Sequence, residues 1–200
     1  MALQVWIPGT DGTLKNQGLY PLPKPSYNNI VSTNDGKLGK DIKNFAIYHL
    51  NSDFIVSSWS ICTWIKFSST WSESNNIIFA KNTSDSEDSQ IYLSIVNNTT
   101  LNIGRGVWNG FTYQPSNGFQ TGVWYHIAAT CDGTNVTLYL NGFKVAGGSS
   151  IGSYKSALNL CIGCRSTNAA GTWYTGWGPE QNDIRLYDHC LSPKEVKEIS

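Results

Sequence analysis

Short runs rich in Ile, Val, Thr, Tyr and Trp recur from Leu3 onward, separated by clusters of Gly, Asn, Asp and Ser. Such spacing predicts many short strands joined by turns. Trp59–Phe67 (WSICTWIKF) sets Ile61, Thr63, Ile65 and Phe67 against Cys62, Trp64 and Lys66, the period-two alternation of a strand with one face in a core. Strands are also predicted at Asn76–Lys81, Gln90–Val96, Thr100–Ile103, Val123–Cys131 and Asp183–Tyr187. Leu158, Leu160, Ile162 and Cys164 alternate in the same way, and Leu3–Pro8 and Ile42–Tyr48 have strand character. Asn141-Gly142, set between NVTLYL and FKVA, supplies the two positive-φ positions of a type I′ turn. It predicts a hairpin with Val136, Leu138 and Leu140 on one face. The one helix signal is terminal: Ser192-Pro193-Lys194-Glu195 is a capping box with Pro at the first helical position, followed by Val196 and Ile199. Neither a repeat, a linker nor a charge block divides the chain, so residues 1–200 are expected to form a single all-β sandwich domain.

Composition narrows the partners. The 14 Lys+Arg balance 14 Asp+Glu, which leaves no basic stripe to displace counterions from phosphate, so nucleic acid is excluded as a partner. The 40 % apolar content suits a packed core rather than a disordered tail. No apolar run approaches the roughly 20 residues that span a bilayer, so no membrane partner is expected. MALQVWIPGTDG lacks a basic segment followed by an apolar one, so synthesis in the cytoplasm without an export signal is expected. Cys62, Cys131, Cys161, Cys164 and Cys190 form an odd, sparse set that reads as reduced, mostly buried thiols.

The stretch VWYHIAATCDGT (123–134) followed by VTLYLNGFKVA closely resembles the laminin-G-like, concanavalin-A-like jelly-roll family. Two further blocks match in order: LNLCIGCRS (158–166) is similar to that family's LNIGR strand, and NDIRLYDHCLSPKEVKEI (182–199) to its closing strand and LSP-x-E helix. The resemblance implies a concanavalin-A-like (laminin-G-like) jelly-roll β-sandwich with a short C-terminal helix. Fold alone leaves function open, because the family includes lectins, adhesins, hydrolases and structural modules. Met1–Tyr20 and Gly36–Asp41 (GKLGKD) resemble stand-alone members encoded by bacteriophages and prophages. That resemblance implies a virion surface protein released by lysis and present in many copies or as a homo-oligomer. Its partners would be other virion proteins and a cell-surface or extracellular glycan.

Hydrolases of this family align carboxylates at alternate positions of one strand so that acid and nucleophile or base converge. No such run occurs here; Glu180 and Asp183, three apart, would face opposite sides of an extended strand, and the chain is expected not to be an enzyme. Cys161 and Cys164 fall within a predicted strand and would also face apart, against a shared metal. His126, inside a strand, reads as a packed, hydrogen-bonded side chain. Asp85, Glu87 and Asp88 offer hard oxygens within four residues, suited to the Ca²⁺ that relatives carry near glycan loops; a solvated hairpin tip is the alternative. Carbohydrate contact rests on aromatics outside the strand pattern, namely Trp71, Trp108, Tyr113, Trp173 and Trp177, because pyranose faces are apolar and stack on exposed rings beside neutral amides. The competing role for these rings is a protein interface, where Tyr and Trp are also enriched.

Overall fold

A computed structural model describes residues 2–9, 11–25, 27–28, 31–37, 39–43, 46–53, 57–67, 75–82, 89–97, 99–105, 109–149, 157–166, 173–174 and 179–200. The strands are β1 (Leu3–Ile7), β2 (Tyr27–Asn28), β3 (Val31–Gly36), β4 (Gly39–Lys43), β5 (Ala46–His49), β6 (Trp59–Lys66), β7 (Asn75–Asn82), β8 (Ser89–Val96) and β9 (Thr100–Arg105). They continue as β10 (Asn109–Tyr113), β11 (Trp124–Cys131), β12 (Asn135–Leu140), β13 (Phe143–Ser149), β14 (Asn159–Ile162), β15 (Arg165–Ser166), β16 (Trp173–Tyr174) and β17 (Glu180–Tyr187), followed by helix α1 (Pro193–Glu198). Two antiparallel sheets face each other. The eight-stranded sheet runs β13-β12-β11-β6-β17-β4-β3, with β1 also paired to β17, and the seven-stranded sheet runs β10-β9-β8-β7-β14-β5-β2. The predicted jelly-roll sandwich with a short C-terminal helix is thus the observed architecture.

Period-two alternation sorts the side chains. Ile61, Ile65 and Phe67 of the β6 segment enter the inter-sheet core with Ile127 and Ala129 of β11, Val136 and Leu138 of β12, and Leu160 and Ile162 of β14. On the outer face of the eight-stranded sheet, Cys62, Ala128 and Tyr139 are covered by Leu191 and by Val196 of α1. Helix α1 stays in place despite its length because Ser192 and Glu195 cap it reciprocally and Val196 is buried. The hairpin turn is as predicted: Asn141 and Gly142 hold φ of 50° and 78°, and Asn141 Oδ1 accepts the His126 backbone N–H at 2.9 Å.

Several local expectations change. Ile42–Tyr48 does not form one strand; β4 and β5 lie in different sheets. Tyr113, read as lying outside the strand pattern, stands in the edge strand β10, and Trp173 in β16, paired to β15. Cys161 and Cys164 share one buried cluster instead of facing apart, because β14 ends at Ile162 and Gly163, at φ 69°, turns the chain. Burial and the neighbouring Cys161 thiol push the Cys164 thiol well above its ordinary range, so Cys164 stays protonated. All five cysteines are unbridged. Glu180 and Asp183 come to the same face, because the β17 register shifts between Asn182 and Arg185 and Asp183 takes the left-handed conformation, φ 53°. Among the described residues no helix is long and apolar enough to cross a membrane.

One end of the sandwich is closed by a buried charge. Lys81 is fully buried and its ammonium meets Asp53 Oδ1 at 2.6 Å as well as the Ala157 carbonyl. Asp53 Oδ2 accepts the Ala157 N–H at 3.0 Å, so one lysine and one carboxylate tie the 53 and 157 segments to β7.

Candidate functional site

Of the aromatics expected to meet a glycan, Tyr113 and the backbone of Trp173 are described. Trp71, Trp108 and Trp177 lie outside the described residues, as do Asp85, Glu87 and Asp88. Residues flanking them are described. Asn82 pairs with Ser89 on either side of Asp85–Asp88, and Arg105 pairs with Asn109 on either side of Trp108. In an antiparallel sheet β7 and β9 run the same way, so both flanks sit at one end of the seven-stranded sheet. The backbone of Trp173 pairs with Ser166, just after β14, which runs antiparallel to β7, and therefore toward the opposite end. Tyr113 stands in β10 opposite Leu101, half-buried on the same side as Phe111, which packs on the core. Phe111 reaches across to Gly148 of β13, where a Cβ would lie 2.7 Å from the ring. Among the described residues no three metal-ligating side chains gather.

The structure does bring together aromatics that belong to the strand pattern itself. On the outer face of the eight-stranded sheet, Trp124 stands opposite Lys66, Trp64 opposite His126, and Trp6 opposite Arg185. Opposed residues share a face, and this face is the one carrying Cys62 and Ala128. The three indoles therefore lie on a diagonal across β11, β6 and β1, with β17 between the last two. From strand and residue spacings, Trp124 and Trp64 are about 8 Å apart along the sheet, and Trp64 and Trp6 about 12 Å. All three are half-buried.

Each indole has a cation over it. Lys66 Nζ lies 5.0 Å from the Trp124 ring centroid, Lys37 Nζ 4.3 Å from that of Trp64, and the Arg185 guanidinium 5.4 Å from that of Trp6. Polar groups fill the gaps. Glu180 Oε2 pairs with Lys66 at 2.7 Å; Asp183 Oδ2 pairs with Arg185 Nη2 at 2.9 Å; Asp183 Oδ1 also accepts the Trp6 indole N–H at 2.8 Å. His126 packs edge-on against Trp64, with ring centroids 5.3 Å apart. It is packed as expected, but its buried Nδ1 has no hydrogen-bond partner among the described residues, and burial pushes the imidazole down to about 4, neutral at pH 7. Chemically the face presents flat apolar rings beside fixed donors and acceptors. The signal for it was the outward row Cys62, Trp64, Lys66 read against Trp124 and His126; what the sequence hid was the pairing of β1 and β17 alongside β6.

The comparisons agree with this fold. The family model for the concanavalin A-like lectin/glucanases superfamily matches residues 43–197. Domain 4 of AbnA, a GH43 extracellular arabinanase from Geobacillus stearothermophilus, solved in complex with arabinotriose, is 18 % identical at a TM-score of 0.70, over 99 % of this chain and 98 % of that one. The botulinum neurotoxin serotype D binding domain is 14 % identical at a TM-score of 0.75; the match covers 99 % of this chain but 51 % of the toxin chain. A heptameric SAP-like pentraxin from Limulus polyphemus is 18 % identical at a TM-score of 0.63, over 85 % of this chain and 80 % of that one. No curated protein matches. With its family model spanning residues 43–197 and both sheets in place, the chain belongs to the concanavalin A-like lectin/glucanases superfamily.

Proposed function

We propose that this protein is a non-catalytic carbohydrate-binding module on a bacteriophage virion, displayed in many copies and holding glycans of the host or its surroundings. The observation that carries the binding reading is the diagonal of Trp124, Trp64 and Trp6, half-buried on one sheet face beside Glu180, Asp183 and Arg185. Indoles offer the apolar face of a pyranose a rigid platform, and the polar groups beside them suit its hydroxyls. The arabinotriose complex of AbnA domain 4 supports the same reading by fold analogy. Trp71, Trp108, Tyr113, Trp173 and Trp177 are further glycan contacts of this proposal, and Ca²⁺ at Asp85, Glu87 and Asp88 a third element. Absence of catalysis is supported by the carboxylates: Glu180 and Asp183 are each committed to a cation, whereas glycoside hydrolysis needs one protonated acid facing a free base or nucleophile. The virion location rests on the resemblance of Met1–Tyr20 to phage-encoded members. Multiple copies would turn weak single-site affinity into avidity.

A glycan array probed with purified protein, with and without Ca²⁺, tests this beside a Trp64→Ala/Trp124→Ala variant of verified fold. Saturable binding lost in the variant is the expected result. Silence at high valency would overturn it in favour of a purely structural decoration protein whose aromatic patches are protein interfaces, a reading favoured by the exposed Leu19, Val123 and Phe143.

A further inference from the structure

The three cations of the tryptophan diagonal are not equivalent. Lys66 is buried and paired with Glu180, and Arg185 is half-buried and paired with Asp183, as ions withdrawn from water must be. Lys37 is exposed, comes closest of the three to its ring, and has no carboxylate partner among the described side chains. Of the described side chains in the middle row, Asn182 and His126 are opposite Trp64 in the sheet and carry no formal charge at neutral pH. Among the described side chains, the centre of the diagonal therefore holds one positive charge without a carboxylate partner, above an indole packed against the edge-on imidazole.

Resting on the glycan-binding reading above, we propose that the Trp64 position takes a saccharide ring bearing a carboxylate, with Lys37 as its counter-charge. A neutral ring stacking on Trp64 displaces the ammonium from the indole and gives nothing in return, losing a cation–π contact that is worth little at an exposed site but is not zero. A carboxylated ring stacks on the same indole while its carboxylate replaces the ring as the partner of Lys37, so the cation gains instead of losing. Lys66 and Arg185 cannot play this part, because taking either from its buried carboxylate would strand that carboxylate in a dry site. Specificity here is a difference between two ligands at one platform, set by the Lys37 ammonium.

The test is an array of carboxylated glycans, each printed beside its carboxyl-reduced counterpart at equal density, read with wild type, Lys37→Gln, Lys37→Arg and Trp64→Ala. The expected result is preference for the carboxylated member, weakened about two- to fivefold by Lys37→Gln and by raised ionic strength, preserved by Lys37→Arg and lost with Trp64→Ala. Equal binding of the two members, or a Lys37→Gln protein that still prefers the carboxylate, overturns the assignment while leaving glycan binding intact. If no glycan of either kind binds wild type, the glycan-binding reading falls, and the assignment with it.

Discussion

The indole N–H of Trp6 donates to Asp183 Oδ1 at 2.8 Å, joining the first strand of the chain to a bulge in its last strand. The same carboxylate holds Arg185, and the bulge requires Asp183 at φ 53°, a conformation that Asp and Asn tolerate better than other non-glycine residues. Asp183→Ala is expected to cost about 2–4 kcal/mol, losing both partners and straining the backbone. Asp183→Gly relieves only the strain and should recover about 1 kcal/mol of that. Denaturant midpoints of the three proteins decide it; an alanine variant as stable as wild type would mean that the bulge carries no such constraint.

His126 ties stability to pH. Its folded value of about 4 lies below the ordinary 6.5, so between these limits the unfolded chain binds the proton that the folded one excludes, and stability falls as pH drops through that window. The full effect is on the order of 3 kcal/mol. His126→Phe keeps the ring packing against Trp64 without the titration. Melting temperatures between pH 7 and 4 should fall more steeply for wild type than for the variant, and parallel curves would refute the assignment.

The Lys81–Asp53 clasp gives an asymmetric pair of mutants. Asp53→Ala leaves a fully buried ammonium without its carboxylate and should cost about 3–5 kcal/mol, whereas the double variant Asp53→Ala/Lys81→Met should recover most of that loss. Burial lowers Lys81 to about 8, so the fold carries a penalty at neutral pH that is relieved as pH rises from about 8 toward 10.5. Chemical denaturation of the three proteins at pH 7 and pH 9.5 measures both effects. Equal losses in single and double variants would show that the carboxylate matters for something other than the lysine.

Alternation and turn chemistry made much of this fold legible. Ile61, Ile65 and Phe67 announce β6, Asn141-Gly142 announces the β12–β13 hairpin, and Ser192 to Glu195 announce α1, because in each case the local signal and the tertiary environment agree. Where a side chain faces was less legible wherever the backbone departs from the regular period. Gly163 returns Cys164 to the side of Cys161, and the bulge at Asp183 returns that carboxylate to the side of Glu180. In hindsight Gly163 and the Asn182-Asp183 pair were the available signals. The tryptophan diagonal was harder still. Trp6, Trp64 and Trp124 are far apart in sequence, and only the long-range pairing of β1, β17, β6 and β11 sets them on one face.

The central claim, that the outer face of the eight-stranded sheet binds saccharide, is tested most directly by nitrogen-15 NMR of the indole N–H groups during titration with the best-binding glycan of the array. The account predicts saturable shifts of the Trp64 and Trp124 indoles with a common dissociation constant. The Trp6 indole, already bonded to Asp183, should respond less. Shifts confined to Trp71, Trp108, Trp173 and Trp177, with Trp64 and Trp124 unmoved, would contradict the claim and move the site to those residues.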